Sequence, residues 1–127
     1  MYKRQVGHGL AGAPWADGSP HAHVRRAVGY LGWTQVEAGH GCPVTMTYAA
    51  VPALRAAPEL ADGLLPALTS REYQFGLADP WAKRGLVAGM GMTEKQGGSD
   101  VRANVTEARP TAVDGEYTLH GLSLIHI

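Results

Sequence analysis

Gly85-Leu86-Val87-Ala88-Gly89-Met90-Gly91-Met92-Thr93-Glu94-Lys95-Gln96-Gly97-Gly98-Ser99-Asp100-Val101 is the stretch where the pattern of the chain changes. Before it, apolar residues recur every three or four positions; after it they alternate. Residues 86–90 read as a buried strand, and the glycine-rich segment through Asp100 reads as the loop leaving it. Gly97 and Gly98 have no Cβ, so the backbone there can take positive φ and bring amide N–H groups close to a bound group. Such a loop suits an anion or a heteroaromatic ring, and the same residues also make an ordinary turn.

Beyond the loop, residues 101–109 read as the next strand, Asp114-Gly115 as a turn, and residues 116–120 as an alternating hairpin partner. Ahead of it, three helices are expected. The first spans about residues 21–38, with Val24, Val28, Leu31 and Gln35 in one row, Ser19-Pro20 at its start and Gly39 at its end. The second runs from Pro43 toward Arg55, with a bend or end expected near residues 47–49 because Pro52 removes an interior hydrogen bond, at a cost of about 3 kcal/mol. The third follows Pro58 to about Leu68, with Leu60, Leu64, Leu65 and Leu68 as its apolar face. Residues 6–19 show no period and read as a connection packed down by Trp15; residues 71–83 read as a linker carrying a turn of helix. Helices first and strands second, without βαβ alternation, specify an α+β chain. The order argues against a Rossmann site, and neither G-x-G-x-x-G in a strand-to-helix turn nor a Walker lysine is present.

The 127 residues carry 11 basic and 11 acidic side chains, and no basic patch calls for nucleic acid. No apolar run is long enough to span a bilayer. The single cysteine, Cys42, cannot form an intrachain disulfide, a mild lean to the cytoplasm. Both ends look foreign. With suitable codons, residues 1–5 and 122–127 back-translate into reverse-complementary halves of a transposon adapter used in sequencing libraries, so residues 6–121 are expected to be an internal piece of a longer protein. Two bases and no acid leave with those ends, which moves the formal charge from zero to −2.

The string Met92-Thr93-Glu94-Lys95-Gln96-Gly97-Gly98-Ser99-Asp100-Val101 resembles the flavin-binding signature of the acyl-CoA dehydrogenase family, Thr-Glu-Pro-x-x-Gly-Ser-Asp. The Lys95-Gln96-Gly97 variant behind Gly89-Met90-Gly91-Met92 is similar to the AidB branch, the isovaleryl-CoA dehydrogenase homologues. Val36-Glu37-Ala38-Gly39-His40-Gly41-Cys42-Pro43, followed by Met46-Thr47-Tyr48-Ala49, resembles the same branch. The resemblance implies that residues 6–80 are the C-terminal part of the all-α N-terminal domain. Residues 81–121 would then be the first antiparallel strands of the β middle domain, with the flavin-binding loop. It implies FAD as cofactor: Met90, Gly91, Met92 and Thr93 would face the isoalloxazine ring near its pyrimidine edge, and Gly98 and Ser99 the pyrophosphate side or the thioester end of acyl-CoA. Fixed donors such as the Thr93 hydroxyl suit a ring that becomes anionic on accepting a hydride.

The family's catalytic glutamate and second flavin loop fall outside this chain, so no catalytic residue is carried over, and Glu94 reads as a structural loop carboxylate. His21 and His23 lack a third ligand at usable spacing and read as a solvent-facing helix start, so no metal is expected. His40 beside Cys42 reads as a small buried thiol at a helix start, without a third group to orient a nucleophile. The resemblance implies a parent that oxidises an acyl-CoA or related substrate at Cα–Cβ, is commonly a homotetramer, and is cytoplasmic. Two alternatives stand beside it: a flavoprotein of the same lineage that protects DNA through an absent C-terminal domain, and an inactive truncated fragment.

Overall fold

The chain divides into two compact units, Met1–Gly89 and Met90–Ile127; the computed structural model describes residues 2–94 and 99–121. In the first unit α1 (Tyr2–Gly7) leads through a 3-10 turn (Ala13–Trp15) to α2 (Ala22–Val36), α3 (Gly41–Leu54), α4 (Pro58–Leu68) and a last 3-10 turn (Pro80–Ala82). The segment expected to be irregular is therefore partly helical. Val6, Leu10 and Ala11 supply three of the four buried residues of a core cluster, closing on Val44 of α3 with Tyr2, Tyr30, Trp33 and Tyr73 packed around them. Gly12 must be glycine: a Cβ there would sit 2.2 Å from the Leu68 carbonyl oxygen.

α2 starts and ends close to expectation, but not through the expected cap. His21 is its N-cap and makes no side-chain cap bond, while the Ser19 hydroxyl accepts from Arg25 and the Ser19 N–H donates to Asp17 Oδ1 at 3.0 Å. Its inner face is Ala22, Arg26, Tyr30 and Trp33, and the row Val24, Val28, Leu31 looks outward at 61–67% exposure.

α3 is continuous through Pro52, against the bend expected at residues 47–49. The proline leaves the carbonyl four residues back, on Tyr48, without its helical donor. The Trp15 indole supplies one instead, Nε1 to the Tyr48 oxygen at 2.9 Å. The indole also stacks against Tyr48 and His23, with ring centroids 5.2 and 4.6 Å away, and Trp15 holds its segment down as expected. Arg55 closes the joint by donating to the Trp15 carbonyl at 2.9 Å.

Three further expectations are corrected. Cys42 is exposed rather than buried; its neighbour His40 is the fully buried side chain, packed between Tyr30 and Trp33. α4 buries Ala61, Ala67 and Leu68, with Leu64 and Leu65 half-buried and Leu60 exposed. The run expected as a strand at residues 86–90 lies in no sheet and has no regular secondary structure. Its amides are taken by the helices: Leu86 N–H donates to the Ala67 carbonyl at 3.0 Å and Ala88 N–H to Thr47 Oγ1 at 3.0 Å.

In the second unit the expected strand at residues 101–109 begins as a 3-10 turn, Val101–Ala103, capped by Asp100 Oδ1 on Arg102 N–H at 3.1 Å. Only its end is a strand. β1 (Glu107–Pro110) pairs antiparallel with β2 (Tyr117–His120), Glu107 opposite His120 and Pro110 opposite Tyr117. Gly115 at φ +77° makes the turn between them, where the sequence places it. Every residue of both strands is exposed.

Candidate cofactor-binding loop

Residues 90–93 form a run outside any helix or sheet whose side chains face solvent, Met90 at 42% and Met92 at 53% exposure. Among the described residues the amides of Gly91, Met92 and Thr93 and the Thr93 hydroxyl have no hydrogen-bond partner. Four uncommitted donors thus stand in succession. An unbonded amide is tolerable in water and becomes costly only when something dry covers it.

What holds the run in place is a clip at its end. Glu94 is 5% exposed, and its carboxylate accepts Val105 N–H at 2.8 Å, Thr106 N–H at 2.9 Å and the Thr106 hydroxyl. Asn104 Nδ2 donates to the Met92 carbonyl at 2.6 Å. The residue before Thr93 and the residue after it are therefore both tied to the segment that enters β1, and Thr93 is displayed between them. Glu94 thus does structural work in the loop, its carboxylate accepting two backbone amides and a side-chain hydroxyl.

Ser99 is exposed and has no hydrogen bond to the 90–93 run; Gly98 lies outside the described residues, with Lys95, Gln96 and Gly97. Asn104 and Thr106 escaped sequence reasoning: an amide and a hydroxyl ten and twelve positions beyond Glu94 obey no motif spacing. An acid followed by a polar pair at the mouth of a strand was the available signal.

No group of three His, Cys, Asp or Glu side chains among the described residues could hold a metal ion. His23 is exposed, as expected, and its Nδ1 lies 2.6 Å from the Tyr48 hydroxyl. Glu37 is exposed, its Oε1 accepting Gly39 N–H at 2.6 Å. Chemically, residues 90–93 offer donors and carry no titratable side chain: the run can bind an acceptor edge.

No described helix is long and apolar enough to cross a membrane. Residues 1–75 match the family model described as adaptive response protein AidB N-terminal domain. Over 108 residues the chain is 48% identical to the "Putative acyl-CoA dehydrogenase AidB" of Escherichia coli (strain K12), covering 83% of this chain and 19% of that protein. The chain thus spans about a fifth of the length of the curated relative it matches. With more than half its length matched to that domain, and two motifs of the same branch in its sequence, the chain belongs to the AidB-like acyl-CoA dehydrogenases.

Proposed function

We propose that the protein containing this chain is an FAD-dependent acyl-CoA dehydrogenase, with residues 90–93, Gly98 and Ser99 against the flavin. The observation that carries this reading is the run of uncommitted donors at residues 91–93, clipped by Glu94 and Asn104, in a chain of this family. Bound FAD would supply the acceptor for the hydride leaving Cβ of an acyl-CoA. The amides of Gly91, Met92 and Thr93 and the Thr93 hydroxyl would hold acceptor atoms of the bound ring as fixed donors where negative charge grows on reduction. Met90 and Met92 offer polarisable thioethers beside a flat ring. Gly98 and Ser99 take the pyrophosphate side or the thioester end. As the resemblance implies, the proton acceptor comes from outside this chain; within it the Glu94 carboxylate accepts the Val105 and Thr106 amides and Glu37 accepts Gly39 N–H.

The full-length protein, purified and scanned in the visible, should show oxidised-flavin bands at about 370 and 450 nm. In it, Thr93→Val and Ser99→Ala should each weaken FAD retention by about 0.5–1.5 kcal/mol, roughly two- to tenfold in Kd. A colourless protein that takes up no added FAD overturns the reading. Undiminished retention in both variants removes these two side chains from it.

The same reading makes the parent a cytoplasmic homotetramer acting on acyl-CoA or a related substrate. The words "adaptive response protein" in the matched family's description favour a second reading, a flavoprotein that protects DNA. Duplex DNA binding by the full-length protein without turnover of any acyl-CoA would select it.

A further inference from the structure

The Met1–Gly89 unit holds a second polar site that the flavin reading does not use. A cavity of about 200 Å³ lies between the turn after α1 and the start of α2, walled by His8, Gly9, Asp17, Arg25, Arg26 and Arg71. Three guanidinium groups and one carboxylate line it, and the carboxylate is already spent. Asp17 Oδ2 takes Arg25 Nη2 at 2.8 Å and Oδ1 takes Ser19 N–H at 3.0 Å. These bonds, the Ser19 amide foremost, hold its carboxyl below the usual range.

The other two arginines have no such partner. Arg26 donates Nε to the Leu10 carbonyl at 2.9 Å and lies over the Tyr48 and Tyr30 rings, 4.1 and 4.8 Å from their centroids. Burial pushes its pKa down, and a guanidinium remains charged at neutral pH even so. Arg71 has no hydrogen bond or ion pair among the described residues. Its guanidinium reaches the cavity across Gly9, where a Cβ would come 2.8 Å from Nη1; Gly9 also sits at φ +74°. Glycine there serves both the turn and the approach.

Two cations without a carboxylate partner thus line one small polar cavity, Arg71 against Gly9 and Arg26 bonded to the Leu10 carbonyl. A dianion balances that charge where a carboxylate would balance half of it, and forked guanidinium donors match phosphoryl oxygens. We propose that this cavity binds a phosphoryl group between Arg71 and Arg26, with Arg25 at its rim. The group could be inorganic phosphate or the terminal phosphate of a monoester.

The test titrates the full 127-residue chain with sodium phosphate against sodium chloride at matched ionic strength, following melting temperature and calorimetric binding. Phosphate should raise the melting temperature beyond chloride. Arg71→Gln, at an exposed side chain, should keep the phosphate-free melting temperature and bind phosphate at least tenfold more weakly. Arg71→Lys should recover part of the affinity, and Arg109→Gln on β1 should retain all of it. A nucleoside 5′-monophosphate binding tenfold tighter than phosphate assigns a monoester; equal binding assigns the free ion. Equal effects of phosphate and chloride on the wild type, or an undiminished phosphate effect in Arg71→Gln, overturn the site.

Discussion

Glu94 accepts three donors from Val105 and Thr106, and the geometry of Thr93 next to it depends on that. Glu94→Gln removes the charge and turns one acceptor into a donor facing an N–H. The expected cost is about 1.5–3 kcal/mol, the range for hydrogen bonds to ionised groups, read from denaturant unfolding. An unchanged midpoint would mean the clip is not formed in solution. Asp17 allows a prediction in pH. Its pKa is lowered in the fold from the ordinary 3.8, so its contribution is present above that value and lost as pH falls through the lower folded one. Asp17→Asn should therefore melt below the wild type near neutrality, and the two curves should converge in acid below pH about 3.8.

Among the elements, α3 carries the sharpest test. With Pro52 in place the Tyr48 carbonyl depends on Trp15 Nε1, so Trp15→Phe should cost about 0.5–1.5 kcal/mol, the net worth of a hydrogen bond. In a Pro52→Ala background the restored helical N–H can serve the same carbonyl, and Trp15→Phe should cost measurably less. Additive effects in the double-mutant cycle would sink the exchange of donors. The case also shows where sequence reasoning ran out. Helical period and proline placement locate α2, α3 and α4 to within two or three residues, because those signals are local. Whether Pro52 bends its helix depends on a tryptophan thirty-seven positions earlier in the chain, which no local rule contains. Residues 86–90 have the composition of a buried strand, but a strand needs a neighbour, and their amides found helix carbonyls and a threonine instead. In the loop the motif pointed to Met90, Met92 and Thr93, whereas Asn104 and Thr106 become legible only once the chain has folded back.

Over the whole molecule, burial is thin where the chain offers apolar side chains. Val24, Val28, Leu31 and Val36 of α2 stand 61–80% exposed, and neither strand buries a residue. Contiguous exposed apolar surface drives association. Val28→Lys should leave the melting temperature of the chain nearly unchanged, within the roughly 0.5 kcal/mol typical of surface substitutions, and reduce self-association in sedimentation velocity. Equal association by the variant would place the contact elsewhere. The donor lent by Trp15 to α3 carries a last consequence, in time rather than energy. A helix that completes its own ladder can fray and reform alone. This one has handed a link to the turn at residues 13–15, so the second half of α3 cannot settle before that turn arrives and cannot stay formed after it leaves. The two should open as one cooperative unit, and the amide protons of Val51, Ala53, Leu54 and Arg55 and of Trp15 should exchange with solvent at a common rate.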